Sequence, residues 1–167
     1  MSDALLRALE SRWHAEIPIS ATMGIRVDRF DGVVLEASAA LGPNTNVHGT
    51  AFAGSQFSLA ALCGWGQVWL QLALAAEAET TADPAGQSAG RTTLSDSSIV
   101  FVEGHIRCLA PVDTDMVASC AWTDDAAAAL TELAVRDRTR VLLIVALTAD
   151  GRIAAEFRGE YGVRRRQ

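Results

Sequence analysis

The stretch Asn44-Thr45-Asn46-Val47-His48-Gly49-Thr50-Ala51-Phe52-Ala53-Gly54-Ser55 runs without interruption into the apolar segment Gln56 to Ala76. It sets proton-handling side chains and a small-residue turn at the mouth of a long helix, expected from about Gly54 to Ala76. The first N–H groups of a helix have no partner inside it and carry the positive end of its dipole. A carbonyl oxygen that becomes negative under attack would find donors there.

That helix is apolar nearly all round, as expected if a sheet wraps it. Phe57, Ala61, Trp65, Trp69 and Leu72 fall on one face, while Gln56, Ala60, Cys63, Gln67 and Gln71 make a narrower, more polar stripe. Gly64 and Gly66 each cost roughly 1 kcal/mol against Ala in a helix interior. A close neighbour is therefore expected: the sheet, a second subunit's helix or an acyl chain. The segment is also long enough to raise a membrane span. Its glutamines, its glycines and the strand patterns around it favour a buried core helix, and no membrane association is expected.

Upstream, Asp3 to Ala15 places Leu5, Leu6, Leu9 and Trp13 on one helical stripe, and Pro18 is expected to end it. Met23 to Arg29 alternates as a strand. Asp31-Gly32 signals a hairpin, Val33, Leu35 and Ala37 return, and Gly42-Pro43-Asn44 breaks the chain. Downstream, Glu79 to Ser95 reads as a loop. Ile99 to Leu109 reads as a strand bulged at Gly104, and Asp115 to Trp122 as the next. Asp124 to Val135 is expected to be helical, with Asp124 as its cap. Arg140 to Thr148 is apolar on both faces, hence central in a sheet. Asp150-Gly151 is a second hairpin signal, and Ile153, Ala155, Phe157, Tyr161 and Val163 alternate with charged residues in the last strand. One antiparallel sheet curling around one long helix, an α+β architecture, accounts for the order.

A chain of 167 residues is most simply a single domain, residues 1–167. Half hydrophobic and one-fifth charged, it reads as globular, and its net charge of -6 argues against nucleic acid as a partner. Arg164-Arg165-Arg166 is expected to be a solvated tail. Cys63, Cys108 and Cys120 are an odd set without metal-ligand spacing, so neither a disulfide framework nor a zinc site is expected. No signal peptide is visible in the amphipathic N-terminus, and a cytoplasmic protein with reduced thiols is the expectation.

The element order, with Asn-x-Asn-x-His-Gly-Thr-x-Phe-x-Gly-Ser at the mouth of the central helix, resembles the hotdog fold. More narrowly, the chain resembles the thioesterase family found as the C-terminal domain of YiiD-type acetyltransferases and as stand-alone proteins. The match is carried by Trp13-His-x-x-Ile-Pro-Ile-Ser-x-x-Met-Gly-Ile25, by Pro43 to Ser55, by Ser58-Leu-Ala with Gly64-Trp65, and by Gly104-His-Ile-Arg-x-Leu-Ala-Pro-Val112. It covers nearly the whole chain. The resemblance implies a homodimer with sheets joined edge to edge, open to pairing into tetramers. It also implies sites at the subunit interface that hydrolyse acyl-CoA or acyl-carrier-protein thioesters, with no metal or redox cofactor.

This sequence departs from many hotdog thioesterases in one respect: Leu59 to Trp65 holds no carboxylate to activate water or attack. His48 could serve as general base, since an imidazole titrates near neutral pH, or could brace its loop. Asn44 and Asn46 could orient water or hold the thioester oxygen, or could shape the turn after Pro43. Gly54 and Ser55 are the candidates for oxyanion stabilisation through backbone N–H, with Ser55 alternatively a helix cap. Thr50 could bond substrate or loop, and Phe52 and Ser58 complete the substrate-binding candidates. Glu103 lies where hotdog dimers meet and could supply the missing carboxylate across the interface, or simply face solvent. The competing functions are a non-catalytic acyl-thioester binding or sensing protein and a dehydratase-like enzyme of polyketide or fatty-acid assembly.

Overall fold

The computed structural model describes residues 3–82 and 97–165. Asp3–Glu16 forms the first helix, α1, and buries Leu9 and Trp13 from its apolar stripe. Pro18 does not simply stop the chain. It opens a second short helix, α2 (Pro18–Thr22), as a ring with its φ already helical and no N–H to satisfy can do. The first strand, β1 (Arg26–Phe30), therefore begins later than the alternation from Met23 suggested. Asp31 accepts from the N–H groups of Val33 and Val34 at 2.9 and 2.7 Å, and Gly32 takes φ 101° in the turn. Strand β2 (Val34–Ala39) returns antiparallel and is followed by a 3-10 turn at Gly42–Asn44.

The central helix, α3, spans Ala53–Ala82, longer than its apolar core implied. Of the segment expected to be a loop from Glu79 to Ser95, Glu79 to Ala82 belongs to this helix, and residues 83–95 lie outside the described residues. Ser98–Cys108 then forms β3, Met116–Ala121 β4, Asp124–Arg136 the helix α4, Arg138–Ala149 β5 and Arg152–Arg164 β6. The strands make one six-stranded sheet in the order β1-β2-β4-β5-β6-β3, every neighbour antiparallel. Asp150 and Gly151, both at positive φ, close the β5–β6 hairpin as a two-residue primed turn requires.

The sheet wraps α3, and the core lies between them. Leu59, Val68, Leu70, Leu143, Val145 and Phe157 are among its buried side chains. Each large apolar side chain so buried contributes about 1.5–3 kcal/mol. From Ala53 to Glu79, α3 is long and apolar enough to cross a bilayer, yet half of that window is buried inside the protein. Its polar stripe has a specific use along β2 and the turn before it. Gln67 Nε2 donates to the Val33 carbonyl and Gln71 Nε2 to the Gly32 carbonyl, each at 2.8 Å, while the Cys63 thiol points at the Leu35 and Ala118 carbonyls.

The close neighbours at the helix glycines are the sheet, one of those expected, and α1, which was not among them. A Cβ at Gly64 would collide with the Tyr161 hydroxyl of β6, and one at Gly66 would lie 2.6 Å from Trp13 Cζ2. Several local expectations are corrected. The irregularity of β3 falls between Phe101 and Glu103, not at Gly104. Gly104 pairs with Gly159 of β6, and the rings of Phe101 and Phe157 lie across this side-chain-free floor. The cap of α4 is Thr123, whose hydroxyl accepts the Ala126 N–H at 3.2 Å; Asp124 is the first helical residue. Ile153 is exposed, because a register shift between Leu147 and Thr148 breaks the alternation. Arg164 is a strand residue, and the Arg165 N–H donates to the Asp137 carbonyl at 3.0 Å, so neither belongs to a loose tail.

Candidate active site

The distinctive motif folds into a tight loop between the 3-10 turn and α3. Asn46 organises it. Its Oδ1 accepts from the His48 N–H at 2.8 Å and from the Thr50 N–H at 3.4 Å. Its Nδ2 donates to the Thr50 hydroxyl at 3.0 Å and to the Ala51 carbonyl at 3.4 Å. The Asn46 N–H donates to the Thr50 carbonyl, and Gly49 supplies the positive φ of 76° that the reversal needs. Both atoms of the Asn46 amide are thus engaged in the loop, and Thr50 is bound to it.

Asn44 is buried. Its Nδ2 donates to the Met23 and Ala40 carbonyls, both at 2.8 Å, and its own carbonyl accepts the Phe52 N–H at 2.7 Å. It ties three chain segments together beneath the loop. The loop's other anchor is the Ala51 N–H, which donates to the Val112 carbonyl at 2.7 Å. Held this way, the loop carries His48 outward at its tip, beside Val47, which is 94% exposed. Among the described residues the His48 ring has no hydrogen-bond partner, so nothing on its own chain competes for its ring nitrogens.

At the start of α3 the Phe52 carbonyl accepts from the Ser55 N–H at 3.0 Å and the Gln56 N–H at 3.1 Å. Ser55 is the third residue of the helix rather than its cap, and its N–H is spent. Among the described residues the donors left open here are those of Ala53 and Gly54, which precede the first intrahelical bond. The exposed Phe52 ring closes over Gly54 tightly enough that a Cβ there would collide with it. Ser58 turns inward on the helix, its hydroxyl donating to the Gly54 carbonyl at 2.8 Å.

One residue of this neighbourhood was visible in the sequence only as part of a stripe. Gln56 is buried, donates from Nε2 to the Ala51 carbonyl at 3.1 Å, and turns Oε1 toward the exposed Cys108 thiol 3.9 Å away. The same first turn carries Phe57, whose ring meets Phe157 edge-on at 5.1 Å and Phe101 at 5.9 Å. Tyr161 extends the cluster, 5.7 Å from Phe101, and its hydroxyl donates to the Ala61 carbonyl at 2.9 Å. The helix mouth therefore adjoins an aromatic cluster between α3 and the edge strand β3 in which Phe157 and Tyr161 are buried, while Phe57 and Phe101 reach the surface and offer an apolar wall fit for an acyl chain.

Glu103 stands apart from this group. It pairs with Glu160 on β6 and lies exposed on the face of the sheet turned away from α3, whereas Phe101 and Gly104 face inward. The Glu160 carboxylate accepts from Arg140. Of the other histidines, His14 donates from Nε2 to the Ile25 carbonyl at 2.7 Å, and His105 is exposed on β3. Among the described residues no three His, Cys, Asp or Glu side chains cluster as a metal site would. Burial pushes the Cys63 thiol well above its ordinary pKa and lifts Cys120 to about 12, so both remain protonated thiols at neutral pH.

With this geometry in hand, similarity to known proteins is informative. The profile of the family described as "Putative thioesterase (yiiD_Cterm)" matches residues 6–82 and 89–165. A crystal structure described as that of a "putative thioesterase" from Shewanella oneidensis is 36% identical and covers 99% of this chain and 100% of its own, with a TM-score of 0.80. A Chlorobaculum tepidum protein of unknown function is 23% identical, with a TM-score of 0.78 over 98% of this chain and 96% of its own. A probable thioesterase from Pseudomonas aeruginosa, at 18% identity and a TM-score of 0.73, covers 96% of this chain and 95% of its own. The last two, at these identities, speak to the fold alone.

Proposed function

Since this chain belongs to the family described as "Putative thioesterase (yiiD_Cterm)", we propose that it hydrolyses acyl thioesters of CoA or acyl-carrier protein. The observation that carries this reading is the pair of open N–H groups at Ala53 and Gly54, set between the His48 loop and the aromatic wall of Phe57 and Phe101. An acyl chain lying on that wall would bring its carbonyl to the helix mouth. Water attacks the carbonyl carbon, and the oxygen takes the negative charge against the Gly54 N–H. His48 takes the proton from water and returns it to the departing thiolate as the carbon–sulfur bond breaks. Asn46 acts by holding the loop that presents His48, its amide being engaged there.

The site is completed by a second copy of the chain in this reading. Strand β3 has an open outer edge and exposes Val100 and Val102, which suits edge-to-edge pairing of two sheets. Pairing there would set Glu103 beside the seam, on the face of the sheet turned away from α3. Assembly of dimers into tetramers is an extension of the same reading. Three free thiols suit a reducing compartment, and a cytoplasmic location is part of the proposal.

The test is free-thiol release from short, medium, long and aromatic acyl-CoAs, with direct binding measured on the same panel and acyl-carrier protein as a further substrate. Turnover with a chain-length preference supports the proposal. The absence of a carboxylate from Ala53 to Ala76 favours a second reading, an acyl-thioester sensor that binds without turnover. Binding with no thiol release would decide for it.

A further inference from the structure

The outer face of the sheet, turned away from α3, carries a second feature. A groove of about 1200 Å³ runs between α4 and the ends of β5, β6 and β3. One face of α4 forms its wall: Asp125, Ala128, Ala129, Glu132 and Arg136, spaced as a helix face requires. Arg138, Arg140 and Arg164 rise from the sheet opposite. Four arginines thus face two carboxylates in a chain whose net charge is -6.

Two details set this groove apart from an ordinary solvated surface. Arg138 of β5 and Arg164 of β6 are direct cross-strand partners. Like charges so placed destabilise a sheet, and among the described residues no ion pair to an acid relieves either one. Arg140, by contrast, is paired with Glu160. The second detail is Gly162, which sits between Arg140 on β5 and Val100 on β3. Its φ is not positive, so the backbone does not demand glycine there. What its missing side chain provides is a depression, floored beside Val100 and Val102, between the arginines and the edge strand. Glycine inside a strand commonly marks such a close approach.

We propose that this groove binds a nucleoside diphosphate group, its phosphates between Arg138 and Arg164 and its flat organic body on the Gly162 floor. Guanidinium forks match phosphate oxygens in pairs, and an anion held between two of them removes their mutual repulsion. The volume accommodates a ligand of nucleotide size. A free nucleotide and the adenosine end of CoA present the same chemistry. The inference stands on the groove alone and does not depend on the hydrolytic reading.

Calorimetric titration of the full chain at low salt with ADP, pyrophosphate and CoA tests it. ADP is expected to saturate one site per chain. Arg138→Gln and Arg164→Gln should each weaken it at least tenfold, while Arg26→Gln, exposed on β1, leaves it unchanged. Gly162→Ala, whose Cβ would meet Val102 Cγ2 at 3.3 Å, should weaken ADP more than pyrophosphate. CoA binding with the same arginine dependence makes the thioester's own handle the source, and ADP binding without CoA makes it a free nucleotide. No saturable ADP binding overturns the proposal, with an acidic docking helix of a carrier protein then the occupant to test. ADP binding indifferent to both arginine variants overturns it equally.

Discussion

His48 and Asn46 are two residues apart and do different things. The asparagine's amide is consumed by the loop, while the histidine ring is left open at its tip. Their substitutions should therefore fail differently. His48→Ala is expected to lower kcat at least tenfold with melting temperature and oligomeric state unchanged, because only an exposed ring is removed. Equal turnover in that variant would take the histidine out of the mechanism. Asn46→Ala frees a loop held by several hydrogen bonds, so it should cost stability, roughly 1–3 kcal/mol, as well as activity. Rescue of activity with stability still lowered would contradict that coupling. Gly64→Ala is a third case. A gain of about 1 kcal/mol in helix propensity is set against overpacking of about 1–3 kcal/mol on the Tyr161 hydroxyl. A lower melting temperature is the expected net result.

Elements show how far the sequence could be read. Both hairpins lie where the Asp-Gly dipeptides signal them, but only Asp150-Gly151 is itself the two-residue turn; between β1 and β2 the reversal takes three residues, Asp31 to Val33, with the positive φ at Gly32 alone. The polar stripe of α3 was legible as a spacing, but the targets of Gln67 and Gln71 in the turn between β1 and β2 were not, since they are hydrogen-bond acceptors some 34 to 39 residues away. Strand β3 was the hardest. Its register shift next to Val102 changes which residues face inward, so Phe101 and Gly104 share a face although three positions apart. A strict alternation therefore could not assign Glu103 a side. The motif at the helix mouth was legible as a cluster. That Asn46 and the Ser55 N–H are already engaged depends on loop geometry that no spacing reveals. At α4, Thr123→Ala removes the hydroxyl that caps the helix and should cost about 1 kcal/mol by urea titration, whereas Asp124→Ala should cost less. The reverse order would restore Asp124 as the cap.

For the whole molecule, buried thiols give stability an alkaline limit. Cys63 and Cys120 hold their protons more tightly in the folded chain than an unfolded cysteine does, because burial penalises the thiolate. A raised folded pKa contributes fully below the unfolded value of about 8.5 and is lost as pH rises through it toward the folded value. Between pH 8.5 and pH 10, unfolding free energy should fall by up to about 1.4 kcal/mol per pH unit for each thiol. Cys120→Ala should flatten that slope, and an unchanged slope would assign the loss to other groups. In the native state Cys108 alone should react promptly with a thiol reagent, the other two only after denaturation.

The notch at Gly66 has a practical consequence for anyone shortening this protein. Trp13 fills it, Leu9 lies 3.1 Å from the same point, and His14 and Asn44 fasten the following segment through Ile25 and Met23. Trimming the first helix as a dispensable leader would leave an indole-sized void against the central helix, and cutting further, past Met23, would strip Asn44 of one of its two acceptors. A truncated version beginning at Ile25 would thus lose its footing directly beneath the loop that carries the chemistry. Expression trials, fusion junctions and tags should leave everything from Asp3 onward in place.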